Sequence, residues 1–311
     1  MDEIIRWLMD GDASIRYLTT LRLLDAPPDR LRALQDRIPE EGYGRAFLDA
    51  RGGTGHWGLW FYQPKWTCTH YTLTDMKALG MPPDTPACRE MVARTFDECM
   101  LPDGGVNLAK SLVQSDVAID GMILDYASYF CPDDPRIGRL ADYVLDRAKP
   151  DGGWSWDANR PQGDPHTTIC VLEGLVSCDR AGFTGHVEPI PAAVDRAVEW
   201  LLSRSLLLDG EERFRKLSYP YRYRYDVLRE LELLALAGVP YDSRMEPALR
   251  WLEGKADASG RWRLENVHPG ALHFPLEERR SPSRFITLKA LTVLRAYRES
   301  RTLADVSNPS G

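Results

Sequence analysis

Apolar residues recur along this chain at helical spacing, and strict two-residue alternation is nearly absent. In SIRYLTTLRLL (14–24), Tyr17, Leu18, Leu21 and Leu24 share one face of a predicted helix. Comparable segments begin at Thr67, Ser115, Asp164, Tyr223 and Ser281, and Gly80 with Pro82 supplies a helix stop after the second. Markers within them, Ile15, Thr67, Asp116, His166, Arg224 and Arg284, return roughly every fifty to sixty residues. A second set of helices is predicted between most neighbours, over 86–99, 135–148, 192–205 and 244–256. The first set is rich in Thr, Leu and small residues, as burial on two sides requires. The second carries Arg, Glu and Asp on one face and Trp, Leu or Val on the other, as burial on one side requires. Six such hairpins predict an all-α fold: one α/α toroid, inner helices parallel around a central cavity, outer helices enclosing them. The toroid domain is expected over 1–300, with 301–311 a flexible tail.

A glycine turn followed by a large apolar residue punctuates the same period. It reads GTGHWGLW (53–60), LPDGGVNL (101–108), KPDGGWSWD (149–157) and DASGRWRLEN (257–266). Each copy falls between an outer helix and the next inner one. Glycine permits the reversal, and the Trp or Val is expected to wedge between neighbouring repeats.

The PDGGW loops, their spacing and the segment QPKWTCTHYTL (63–73) resemble the terpenoid cyclase and protein prenyltransferase superfamily, over about Ile15 to Tyr297. Squalene-hopene cyclases and prenyltransferase β-subunits share this toroid. The resemblance implies a small apolar or isoprenoid-type substrate in the central cavity and a cyclase-like or prenyltransferase-like protein, with the reaction left open. The chain departs from both chemistries. No D-x-D-D acid motif is present, and Asp133 with Asp134 reads as a turn and cap for the helix at Pro135. The one D-x-C, Asp97 to Cys99, ends an outer helix, so the zinc triad of the prenyltransferases is not carried over.

Composition narrows the field further. The chain has 311 residues, 43% hydrophobic and 27% charged, with a net charge of −7, which excludes a general nucleic-acid binder. No run of eighteen apolar residues spans a membrane, and the acidic N-terminus lacks signal-peptide features. The six cysteines show no CxxC pairing and read as reduced thiols, so a cytoplasmic location is expected.

Candidate chemistry gathers where the inner helices start. Six parallel N-termini direct partial positive charge to one mouth of the cavity and favour an anionic group such as a diphosphate or carboxylate. Catalytic candidates are His70, Asp116, Asp120, His166, Tyr223 and Asp226. Substrate-binding candidates are Cys68, Tyr71, Thr167, Tyr221, Arg224, Arg284, Trp66 and Trp156. Asp116 and Asp120 share a face at i, i+4, which suits acid–base work, although acids in a first turn are also favoured by the dipole alone. Cys68, His70 and His166 form a conceivable zinc set. Asp164 before Pro165, Ser115 and Ser281 read as helix caps. RKLSYPYRYRYD (215–226) concentrates aromatic faces and guanidinium donors. A second loop, 268–284, brings His268 and His273 toward the same mouth. Two other functions fit the architecture: a carbohydrate-active (α/α)6 enzyme using Asp, Tyr and His at the mouth, and a non-catalytic ligand-binding or scaffold toroid. Cavity lining discriminates among them: apolar for an isoprenoid, carboxylate-lined for a sugar, filled for a scaffold. Oligomeric state is left open.

Overall fold

The computed structural model describes residues 2–109 and 114–307, and the regular elements among them are helices. Outer and inner helices alternate along the chain. α1 (Asp2–Met9) precedes α2 (Ala13–Leu23), and α3 (Pro28–Gln35) with α4 (Gly42–Asp49) precede α5 (Thr69–Ala78). α6 (Pro86–Cys99) leads to α7 (Val117–Phe130), α8 (Arg136–Asp146) to α9 (Pro165–Arg180), α10 (Ile190–Leu202) to α11 (Val227–Leu236), and α12 (Glu246–Glu253) to α13 (Arg284–Ser307). α5 packs on α7, α7 on α9, α11 on α13, and α13 on α2. Arg229 of α11 pairs with Glu173 of α9, and Gly80 after α5 packs against Tyr17 and Leu18 of α2. The ring is closed. Gly121 lies beside Cys170 and Val171 while Asp125, one turn on, accepts from Ser177, so α7 and α9 run parallel. This is the α/α toroid that the periodicity predicts.

The glycine phrases make four copies of one turn. Backbone N–H to O bonds close it at Gly52–His56, Leu101–Gly105, Lys149–Gly153 and Asp257–Arg261, each 2.8 Å. The fourth residue of each turn is a left-handed glycine: Gly55 (φ 85°), Gly104 (φ 100°), Gly152 (φ 91°) and Gly260 (φ 72°). A side chain there would strain the turn. The residue that follows fastens the outer helix to the inner one. The indole N–H groups of Trp57, Trp154 and Trp262 donate to the carbonyls of Phe47, Val144 and Leu252, ten residues back in the closing turns of α4, α8 and α12 (2.6, 2.8 and 2.7 Å). Their backbone N–H groups donate to the hydroxyls of Thr69, Thr168 and Thr287 on the next inner helix (3.2, 3.0 and 3.0 Å). In the remaining copy Val106 takes the place of Trp and Asp120 that of Thr (2.8 Å).

Three features depart from the sequence expectation. Residues 28–49, left unassigned by periodicity, form α3 and α4. α1 serves as the outer partner of α2, held where Arg284 donates to the Trp7 carbonyl and Arg261 and Arg284 lie over the Trp7 ring. α13 continues past residue 300 to Ser307 because Arg301 pairs with Glu246 and Glu253 of α12. Residues 308–311 of the expected tail lie outside the described residues. No described helix is long and apolar enough to cross a membrane.

The close approach of α7 and α9 rests on two glycines. A Cβ on Gly174 would lie 2.4 Å from the Gly121 carbonyl oxygen, and one on Gly121 would lie 2.7 Å from the Cys170 carbonyl oxygen. Gly174→Ala is therefore expected to destabilise the protein by about 1–3 kcal/mol. Gly53→Ala, with no neighbour within 4 Å, should change stability by less than about 0.5 kcal/mol. Denaturant unfolding of both variants checks the contrast.

Candidate functional site

The lumen that the toroid encloses is filled by the chain itself. The segment after α10 turns inward at Tyr219–Arg222. Tyr219 stacks on Phe285 of α13 with ring centres 4.1 Å apart, and Lys289 lies over the rings of Tyr219 and Tyr221. Arg222, left-handed at φ 59°, crosses the ring to pair with Asp75 of α5 and lies over Trp66 and Tyr71. Charged pairs line the rest. Lys77 and Ser177 both donate to Asp125, Arg229 pairs with Glu173, and Arg22 and Lys289 share Glu232. Such pairs hold their charges only while both partners remain. Beside Arg222 and Asp75 a gap of about 20 Å³ is left, room for about one water molecule.

Above this plug the inner-helix starts form a rim, and the residues expected at the mouth sort into three groups there. Some serve the backbone. Asp116 caps α7 through Ala118 N (3.0 Å), and Asp226 caps α11 through Arg229 N (2.8 Å). Asp120 holds the Val106 amide, the place that Thr168 occupies one repeat later. Thr167 spends its hydroxyl on the Asp164 cap and the Trp156 amide. Burial pushes the Asp120 carboxyl up to about 8 and Asp226 up to about 7, so near neutrality Asp120 is mostly protonated and Asp226 about half so, the amides they bind opposing the shift. Asp116 is also raised, chiefly by desolvation, although it stays open to water. No two of these carboxylates are free to flank a sugar.

A second group is sunk in the wall. His70 is fully buried among the rings of Tyr62, Tyr71 and Tyr126, and neither of its nitrogens has a hydrogen-bond partner. Burial, and then the Arg222 charge, drive its pKa down to about 3. The Tyr71 hydroxyl meets that of Tyr62 at 3.2 Å. Cys68 is buried at the start of α5 and its thiol is pushed up to about 12 by desolvation. Tyr221 lies within the plug. The conceivable zinc set is not assembled: among the described residues no three His, Cys, Asp or Glu side chains come together to hold a metal. Arg284 also departs from expectation, since it faces α1 rather than the mouth. Trp156 stands 65% exposed on the outer lip.

The third group meets at the rim. Trp66 stacks on Tyr223 (6.0 Å), and Tyr223 meets His166 edge to face (6.1 Å). The Lys65 ammonium lies 4.8 Å from the centre of the Tyr223 ring, and the Arg224 guanidinium 5.3 Å. The Tyr225 amide donates to His166 Nδ1 (2.9 Å), which leaves the proton on Nε2. The Asn266 side-chain Nδ2 lies 3.4 Å from His268 Nδ1, a placement that suits the tautomer with its proton on Nε2. That Nε2 and Arg224 Nε are buried and have no hydrogen-bond partner. Both imidazoles are lowered to about 4, first by desolvation. Arg224, Arg222 and Arg229 add to the lowering at His268, and Arg213 and Arg224 at His166, a sign of positive potential.

His166, Tyr223, Arg224 and Trp66 were legible as mouth residues from their place before or within the inner helices. Lys65, Tyr62 and Asp75 were missed. The signal for the first two was their adjacency to Trp66 in FYQPKW; Asp75, in mid-helix, carried none.

No protein-family model matches this sequence, and no curated protein matches it. Among solved structures it is similar to the type II terpene cyclase MstE from Scytonema in its apo form, at 15% identity and a TM-score of 0.33 over 82% of this chain and 95% of that one. A variant of MstE in complex with its product merosterolic acid A gives 15% identity and a TM-score of 0.34, covering 82% and 94%.

Asp120 makes a pH prediction. A carboxyl at about 8 when folded and near 4 when unfolded stabilises the unfolded state increasingly as pH rises through that window. Wild-type stability therefore carries a falling contribution from pH 4 to 8. Asp120→Asn keeps the acceptor for Val106 and removes the titration, so its stability, measured by urea unfolding across that range, should gain on wild type as pH rises.

Proposed function

We propose that this protein is a small-molecule-binding toroid of terpenoid-cyclase-like architecture, whose ligand joins an anionic head to an apolar or isoprenoid-type body and is read at the rim. The observation that carries this reading is two buried, unpartnered nitrogens, Arg224 Nε and His268 Nε2, on side chains close enough for the Arg224 charge to act on the imidazole. A buried donor without an acceptor is costly by about 1–3 kcal/mol, and two together suit a carboxylate or phosphate oxygen. The proton on His166 Nε2 offers a third donor from the same wall. Lys65 and the parallel inner-helix N-termini add positive potential. Tyr223 and Tyr62, both partly exposed, provide the aromatic surface for the ligand body.

By the criterion of cavity lining, the filled lumen speaks against a substrate in the central cavity and for the non-catalytic ligand-binding toroid, with recognition at the rim over chemistry at depth. Lys77, Asp125, Glu232 and Lys289 give the interior a charged lining where a cyclised hydrocarbon needs an apolar one. The ligand accordingly rests above the plug formed by Tyr219–Arg222.

Tryptophan fluorescence titration tests the reading, with farnesyl diphosphate and farnesoic acid as anionic probes and farnesol as the uncharged control. Both anions should bind and farnesol should bind at least ten-fold more weakly. Arg224→Ala and His268→Ala should each weaken the anions about ten-fold. The affinity for farnesoic acid should not rise as pH falls from 8 to 5.5 in the way a titrating imidazole would produce, since both imidazoles lose their extra proton near pH 4. Equal binding of farnesol, or indifference to Arg224→Ala, would overturn the proposal.

A further inference from the structure

A second site lies on the outer surface, between α12 and the segments that follow α10 and α12. It is an open groove of about 710 Å³ floored by Leu217, Leu264 and the Trp251 ring. On a chain of net charge −7, its walls are basic. Of the two acids in the groove, Glu265 is neutralised by Lys255 at 2.7 Å and Glu212 by Lys216 at 3.1 Å. Four arginines remain: Arg215, Arg263, Arg279 and Arg280. The nearest ion-pair contact among them is Arg263 to Asp257, at 4.0 Å.

Three of these guanidinium groups are tethered by the main chain. Arg215 donates to the Leu208 carbonyl (2.9 Å), Arg263 to that of Arg280 (3.2 Å), and Arg279 to that of Glu265 (3.1 Å). A carbonyl tether costs each fork one donor and fixes its direction without itself neutralising the charge. Arg280 sits at the bend itself, left-handed at φ 70°, with its own N–H bonded to the Leu264 carbonyl (2.7 Å). A left-handed arginine is strained, and the bend lies where Arg279 and Arg280 line the groove together with Arg215. Surface arginines that serve stability usually meet carboxylates, as Arg244 and Arg301 do elsewhere in this chain. Three of these four meet carbonyls instead.

We propose that this groove binds a multiply charged phosphate-type anion of small-molecule size. The planar forks match phosphate oxygens bidentately, which a monocarboxylate could not exploit four times over. The groove's volume is in the range that encloses a small ligand, and the Trp251 ring, with Lys255 4–6 Å from its centre (5.2 Å), offers a flat surface for any organic portion. The site is separate from the rim: it shares no residue with Lys65, His166, Arg224 or His268.

Isothermal titration calorimetry of the full chain with inorganic triphosphate tests the assignment, at two salt concentrations. Wild type should take up triphosphate with an affinity that falls as salt rises. Arg215→Ser with Arg279→Ser should weaken that binding at least ten-fold and flatten its salt dependence. Arg279 and Arg280 are exposed, so Arg279→Ser with Arg280→Ser supplies a second double variant that leaves the packed core untouched, and it should show the same loss. Triphosphate that fails to bind at millimolar concentration would overturn the proposal. So would equal binding by wild type and both double variants, or a loss found in Arg224→Ala instead, which would place the anion at the rim. The rim reading stands or falls separately, on the farnesyl probes.

Discussion

The clasp that joins four of the outer helices to their inner neighbours is the constraint on which the rest of this ring depends. One tryptophan spends its indole N–H on the helix behind it and its backbone N–H on the helix ahead. Neither bond is worth much alone, about 1 kcal/mol net. Their value is positional. The indole fills the wedge between repeats while its two donors fix where the next inner helix begins, and the rim is made of those beginnings. Val106 with Asp120 shows what the clasp requires and what it tolerates. The apolar wedge can shrink from indole to isopropyl, but the acceptor on the inner helix must stay, even as a carboxyl held protonated by burial.

A toroid is an architecture before it is a function. Here the fifth repeat departs from its neighbours: instead of the short glycine turn it carries a long excursion through Tyr219–Arg222, and that excursion fills the lumen. Arg222 reaches Asp75 across 147 positions of sequence, tying the fifth repeat to the second across the ring. The filled lumen and the rim's Tyr223 and Arg224 come from the same insertion, since these two follow directly from the residues that form the plug.

Much of the ring was legible because its determinants are local and repeated. Glycine turns, inner-helix stripes and outer-helix faces lie within a few residues of one another, and each recurs several times. Asp120 could also have been read correctly: it follows Val106 by the same fourteen positions that separate Trp154 from Thr168, which marks it as a clasp acceptor before a catalyst. Other features had no local signature. The partners of Arg22 and Lys77 lie 210 and 48 positions away, and nothing in periodicity pairs them. Arg284 has the position of a mouth residue and the side-chain direction of an outer one, because α1 offers it the Trp7 carbonyl and ring. α3 and α4 escaped because neither shows a long apolar stripe; α3 buries no residue fully.

The contact between α13 and α2 carries a consequence for how the ring comes together. Neighbouring inner helices elsewhere meet across about fifty residues, so each repeat can assemble on the one before it. At the seam, Arg295 donates to the Arg22 carbonyl across 273 positions. Loop-closure entropy grows as the logarithm of length, so this joint costs about 1.5 kcal/mol more than the others to bring together. It also brings in the charge of Arg22, which shares Glu232 with Lys289. Folding of such a chain resembles the closing of a bracelet: five links form as the neighbours meet, and the clasp at the ends waits for all of them.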